Sequence, residues 1–190
     1  LPTITAGVPI EFAWTPCGSW SQCLAALKNK DIDVLTSMSY STERAAFTSF
    51  TQRYWTMPWA TLSLASETDV SERETNINQL RGRQIGVTEG YSVIPMLRNI
   101  EQTEVVEYRS LTDGIEALQR SVIDVYVDSL PIVVDELQQR PLANAQLSVL
   151  SGAPGEDLFI GVRNDYQPLV VIFNQGIENF TALERQRLRR

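Results

Sequence analysis

One fifteen-residue pattern occurs twice in this chain. AALKNKDIDVLTSMS (25–39) aligns without a gap to EALQRSVIDVYVDSL (116–130), at an offset of 91 residues. Each copy reads as a helix end, a short polar turn and an IDV strand, with the hydrophobic period changing from helical to alternating. A chain of 190 residues that carries such a unit twice is expected to form two similar lobes. The other segments fit the same plan. VPIEFAW (8–14), WATLSLAS (59–66), QIGVT (84–88), EVVEYRS (104–110) and LFIGVRND (158–165) read as strands. WSQCLAALKNK (20–30), VIPMLRNI (93–100), LTDGIEALQR (111–120), PIVVDELQQR (131–140) and PLVVIFNQGIENF (168–180) read as helices, and SERETNINQLRGR (71–83) as a loop with a short helix. Alternation of this kind predicts an α/β fold, each lobe a mostly parallel sheet flanked by helices.

In open α/β sheets, ligands bind outside the carboxyl ends of the strands. The two IDV strands end in Ser37 and Ser39 in the first copy, and in Asp128 and Ser129 in the second. Asp33 and Asp124 lie at the opposite strand ends, where they are expected to start the strand and bond local backbone.

The segment SMSYSTERAAF (37–47) predicts a helix capped by Ser41, which places Arg44 at the third helical position. A cation near a helix start does nothing for the helix itself. It suits an anion held at the junction, where guanidinium and hydroxyl donors converge on a carboxylate. A second junction, VTEGYSVIPML (87–97), supplies Gly90, Tyr91 and Ser92, with Ser92 able to cap the next helix or donate to an anion. Asp128 has the opposite sense, as an acceptor for an ammonium. Donors for a carboxylate combined with an acceptor for an amine match a free α-amino acid. Among Trp14, Trp20, Tyr54, Trp55 and Trp59, which fall near these junctions, Trp20 at the start of its helix is the best candidate for a cleft wall.

Composition narrows the chemistry. The chain has no histidine, which removes Ser-His-Asp triads and most zinc sites. No metal or other cofactor is implied. The net charge of −7 argues against a nucleic-acid partner, and the basic LERQRLRR end reads as a solvated helix face. No run of 18 apolar residues is present, so no membrane span is expected. The chain starts at Leu1, as a piece of a longer protein would. Cys17 and Cys23 flank a predicted capping box formed by Ser19 and Gln22. That spacing permits a short disulfide, and two independent thiols remain the alternative.

Over nearly its whole length the chain resembles the family 3 extracellular solute-binding proteins. The stretches that carry the resemblance are GVPIEFAW, SWSQCLAALKNKDIDVLTSMSYSTERAAFTSFTQRYWTMPWATL, RGRQIGVTEGYS, GIEALQRSVIDVYVDSLP and LFIGVRNDYQPLVVIFNQGIENFTALERQRL. The resemblance implies a two-lobed, Venus-flytrap periplasmic-binding fold of type II that closes on amino acids and similar solutes, with no catalytic residue. Lobe 1 would comprise about residues 1–60 and 152–190, and lobe 2 about 61–151. It further implies that Arg44 clamps the ligand carboxylate with Ser39 and Ser92, that Trp20 opens the first helix against the ligand, and that Asp128 or Ser129 receives the ammonium. The family's first strand and helix would precede residue 1. The interval from IDV to SYSTER is one residue shorter than in most transport proteins of the family. It is closer to the extracytoplasmic sensor domains of histidine kinases and diguanylate cyclases. The implied role is a periplasmic amino-acid sensor, tethered to the inner membrane within a receptor and dimeric through it. The alternatives are the substrate-binding protein of an amino-acid ABC transporter and a cyclohexadienyl-dehydratase-like enzyme, for which Glu89, Asp128 and Asp157 would be the available acids.

Overall fold

The computed structural model describes residue 5, residues 7–65 and residues 74–179. In chain order the elements are α1 (Trp20–Asn29), β1 (Val34–Met38), α2 (Thr42–Ala45), β2 (Thr48–Phe50), β3 (Trp55–Met57), β4 (Trp59–Leu64) and β5 (Glu74–Asn76). They continue as a 3-10 turn (Ile77–Leu80), β6 (Gln84–Thr88), α3 (Ile94–Arg98), β7 (Glu104–Tyr108), α4 (Leu111–Gln119), β8 (Val125–Ser129), α5 (Leu130–Gln139), β9 (Ala145–Ser151), β10 (Glu156–Arg163) and α6 (Pro168–Glu178). The chain divides into two compact units. One holds residues 1–18, 22–55 and 157–190, and the other residues 19–21 and 56–156.

The internal repeat is a backbone repeat as well. Lys30 and Ser121 are 91 residues apart, and both adopt a left-handed conformation, at φ 66° and 55°. Each ends a helix. Asp31 N–H donates to Ala26 O and Val122 N–H to Ala117 O, both at 2.9 Å. These are helix C-terminal turns of one design, leading into β1 and β8. The buried side chains Leu27 and Leu118 are also equivalent. The ID aspartates are not, and neither bonds only local backbone. Asp124 accepts the N–H of Gln84 at 2.7 Å, which ties β8 to the start of β6. Asp33 accepts from the Arg163 guanidinium at 2.9 Å.

The larger unit holds a mixed six-stranded sheet ordered β5-β9-β4-β8-β6-β7. β6 runs parallel to β7 and β8, and β5 parallel to β9, whereas β4 is antiparallel to both β8 and β9. One face packs Trp59, Ile85, Val87, Val125 and Val127 against the 3-10 turn and α3. The other packs Leu62, Tyr126 and Leu147 against α4 and α5. Gly114 of α4 lies flat on the Tyr126 ring, where an added Cβ would fall 2.0 Å from a ring carbon. Gly114→Ala should therefore destabilise the protein by about 1–3 kcal/mol, the usual cost of overpacking. Urea unfolding will read this, and a midpoint equal to the parent's would refute it.

The smaller unit departs from the expected mostly parallel sheet. β10 is antiparallel to β1 and to β2. The reason is topological: β10 returns after the chain has passed through the other unit, so no helical crossover links it to its neighbours, and parallel pairing requires one. The segment 8–14, expected as a strand, is not one. Phe12 packs on the core of Ile160, Val162, Phe173 and Ile177, but Trp14 is 73% exposed. Cys17 and Cys23 form a disulfide with Cα atoms 5.4 Å apart. Closing so short a loop contributes about 2 kcal/mol. The Cys17→Ser/Cys23→Ser variant should lose that stability and become insensitive to reductant. Among the described residues no helix is long and apolar enough to cross a membrane.

Candidate functional site

In the smaller unit the junction between β1 and α2 forms around Arg44. Ser41 caps α2 with extended backbone, and its hydroxyl accepts the Arg44 N–H at 3.2 Å. This fixes Arg44 at the third helical position, as the sequence predicts. Its side chain folds back onto the strand end. Nη1 donates to the Ser39 carbonyl at 2.9 Å and also to the Ser39 hydroxyl. Arg44 is 8% exposed and Ser39 6%, so a guanidinium is held rigidly where a surface arginine would swing free.

Ser37 does not join this pair. The pairing of β1 with β10 shifts register between Leu35 and Met38, and Ser37 takes a left-handed φ of 57° within that irregularity. A bulge of this kind re-aims the side chain. The Ser37 hydroxyl is exposed and lies 3.2 Å from the Tyr54 hydroxyl. Trp20 is partly buried at the first residue of α1.

In the larger unit the carboxyl ends of β6 and β8 carry the other candidates. Asp128 is fully buried. Its Oδ1 accepts the Ser129 N–H at 2.7 Å, and Oδ2 lies 3.4 Å from the Thr88 hydroxyl, which also meets the Tyr126 hydroxyl at 2.8 Å. Tyr91 bonds the same carboxyl and packs its ring on Trp59, with centroids 6.1 Å apart. Burial pushes the Asp128 carboxyl up to about 7, against the lowering effect of these hydrogen bonds, and the nearby Glu156 carboxylate adds to the rise. Burial also raises Tyr91 and Tyr126, with the Asp128 charge reinforcing both, so both remain phenols.

Ser92 and Ser129 converge on a residue that the sequence reading missed. The Ser92 hydroxyl donates to Glu156 Oε1 at 3.0 Å, and the Ser129 hydroxyl to Glu156 Oε2 at 3.2 Å. Ser92 therefore bonds an acid and does not cap the next helix, which starts with no side-chain cap. Glu156 is the first residue of β10 and resembles any charged strand-end residue in sequence. The available signal was its place in GAPGEDLF, a glycine-proline segment running into the last strand. Among the described residues no group of His, Cys, Asp and Glu could hold a metal ion.

Several solved structures share this fold. An ancestral arginine-binding protein bound to glutamine superposes with a TM-score of 0.80 at 18% identity, covering 99% of this chain and 82% of that one. The substrate-binding protein of an amino-acid ABC transporter gives 0.78 at 14% identity, covering 98% and 81%. The periplasmic VFT2 domain of Bordetella pertussis BvgS gives 0.83 at 14% identity, covering 98% and 78%. No curated protein sequence matches the chain significantly. At these identities the likeness establishes the fold, a mixed α/β periplasmic-binding architecture of type II with two sheets and flanking helices. A family model matches residues 3–188, and the chain accordingly belongs to the bacterial extracellular solute-binding proteins, family 3.

Proposed function

We propose that this chain is the ligand-binding domain of an extracytoplasmic sensor and that its ligand is a free amino acid. The observation that carries the ligand class is the Arg44–Ser39 pair, a buried guanidinium fixed at a strand end. It would take the ligand carboxylate. The ligand ammonium would go to the acid cluster of the larger unit. Within that cluster Glu156 is the stronger candidate, because its carboxylate gathers the hydroxyls of Ser92 and Ser129, whereas Asp128 is enclosed and burial pushes its carboxyl up to about 7. Trp20 would contact the ligand side chain. Ligand binding would favour a closed arrangement of two lobes, and that shift in population would be the signal.

The shortened interval before SYSTER supports a sensor over a transporter subunit, as does the likeness to the BvgS domain. A periplasmic location suits the Cys17–Cys23 disulfide. A dehydratase is disfavoured because Asp157 is tied to Arg53 at 3.2 Å and Asp128 is sealed in its network.

Thermal-shift and calorimetric screening against the standard amino acids tests the ligand class. A cognate ligand at a hundredfold excess over its Kd should stabilise the protein by about 2.7 kcal/mol. Glu156→Gln should weaken that ligand about tenfold or more, and the des-amino analogue should bind parent and variant alike. No stabilisation by any amino acid, or equal binding of the des-amino analogue by the parent, would sink the proposal.

A further inference from the structure

The face of the large sheet that carries Val125 and Val127 changes character across its width. Along β6 and β8 it is apolar, and it is covered by the 3-10 turn and α3. In β4 and β9 the same face presents Thr61 opposite Ser148 and Ser63 opposite Gln146. Thr61 is 4% exposed and Ser148 7%, and the Thr61 hydroxyl lies 3.4 Å from that of Thr75 on β5. Hydroxyls stand here where valines would continue the core, and Thr61 and Ser148 each have a partner within the protein, so the strip is polar without a stranded group. A cavity of about 410 Å³ opens above this polar strip. That is room for roughly a dozen waters, or for a small polar ligand in their place.

The cavity is not part of the cluster around Asp128. It lies at the amino ends of β6 and β8, beside Arg83 and Asp124. Asp124 is four residues from Asp128 along the strand, on the order of 13 Å. The two charged groups at this end are positioned by backbone. Asp124 is fixed by the Gln84 N–H at 2.7 Å. Arg83 donates its own N–H to Leu80 O and accepts the Glu104 N–H at its carbonyl. Other arginines of the larger unit, Arg81, Arg98, Arg109, Arg120 and Arg140, all pair with acids. The Arg83 guanidinium has no ion pair among the described residues.

We propose that this cavity is a second ligand site, taking a small hydroxylated carboxylate. The carboxylate lies on Arg83, and the ligand hydroxyls bond Thr75, Gln79, Gln146 and Ser148. The lining is mostly hydroxyl, amide and charge, with Leu64, Leu80 and Val125 as its aliphatic part and no aromatic ring, which favours a hydrated ligand over a flat aromatic one. The site is independent of the amino-acid reading, since none of its lining residues belongs to the strand-end clusters.

The test is calorimetry with gluconate, glycerate and citrate, with glucose as the uncharged comparison, on the parent, Arg83→Ala, Ser148→Val, Arg44→Ala and Glu156→Gln. Arg83→Ala changes an exposed side chain, so the fold is kept. The expected result is saturable binding of at least one of the three acids in the parent. That binding should weaken about tenfold or more in Arg83→Ala and Ser148→Val, stay unchanged in Arg44→Ala and Glu156→Gln, and exceed that of glucose. Binding of none of the acids overturns the site. So does binding that Arg83→Ala leaves intact, or binding lost in Arg44→Ala, which would place the acid at the strand ends.

Discussion

Replacing Arg44 with alanine is expected to abolish amino-acid binding at accessible concentrations. The loss should be about 2–5 kcal/mol, the cost of removing one partner from a desolvated charge pair. Arg44 is 8% exposed, so little water is present to substitute for the guanidinium. Its position is fixed three ways: the Ser41 cap holds its backbone N–H, and the Ser39 carbonyl and hydroxyl hold its Nη1. Such prepayment of side-chain entropy makes a contact worth more than a surface ion pair. Arg44→Lys should recover only part of the affinity, since an ammonium cannot present a planar fork to a carboxylate. A smaller structural effect is separable. Without the guanidinium the buried Ser39 carbonyl loses a donor, costing about 1–2 kcal/mol of folding stability, which urea unfolding without ligand will measure. The decisive comparison is between an amino acid and its decarboxylated amine. If Arg44→Ala weakens both equally, or weakens neither, Arg44 does not hold a carboxylate.

Arg44 also shows what was legible in advance. Its placement follows from local rules: a capping serine, a count of three, and a cation where the helix has no use for one. The repeat was legible for the same reason, since helix end, left-handed turn and strand are specified within fifteen residues, and the turns at Lys30 and Ser121 prove equivalent. Features set by distant residues were not legible. The role of Glu156 depends on Ser92 and Ser129, 64 and 27 residues away. The antiparallel setting of β10 depends on the chain having left one unit and returned. Short strands such as β2 and β3, three residues each, carry too few positions for a period of two to register. The bulge at Ser37 defeated strict alternation, which would have placed Ser37 and Ser39 on one face.

The second large effect concerns Asp128 and pH. Its carboxyl is raised to about 7 from an ordinary 3.8, chiefly by burial. Between those values the folded protein holds a proton there that the unfolded chain has released. Stability from this group is therefore fully present below about pH 4 and falls as pH rises through 7. A shift of this size corresponds to roughly 4 kcal/mol, the work of ionising a carboxyl sealed among Tyr91, Thr88, Tyr126 and the Ser129 N–H, with Glu156 nearby. Asp128→Asn keeps the acceptor for Ser129 and cannot ionise. Asn should thus gain on the parent as pH rises, and the difference between their unfolding free energies should climb steadily from about pH 4 and level off above about 7. Using the difference cancels the opposite slope of Asp165, which Arg163 and Lys30 hold below the usual carboxylate range. A flat difference would mean that Asp128 is ionised throughout. The same proton couples to ligand. An ammonium arriving at Glu156 would favour the ionised form of Asp128. Amino-acid affinity should then rise with pH up to about 7 and level off above it, and this rise should vanish in Asp128→Asn.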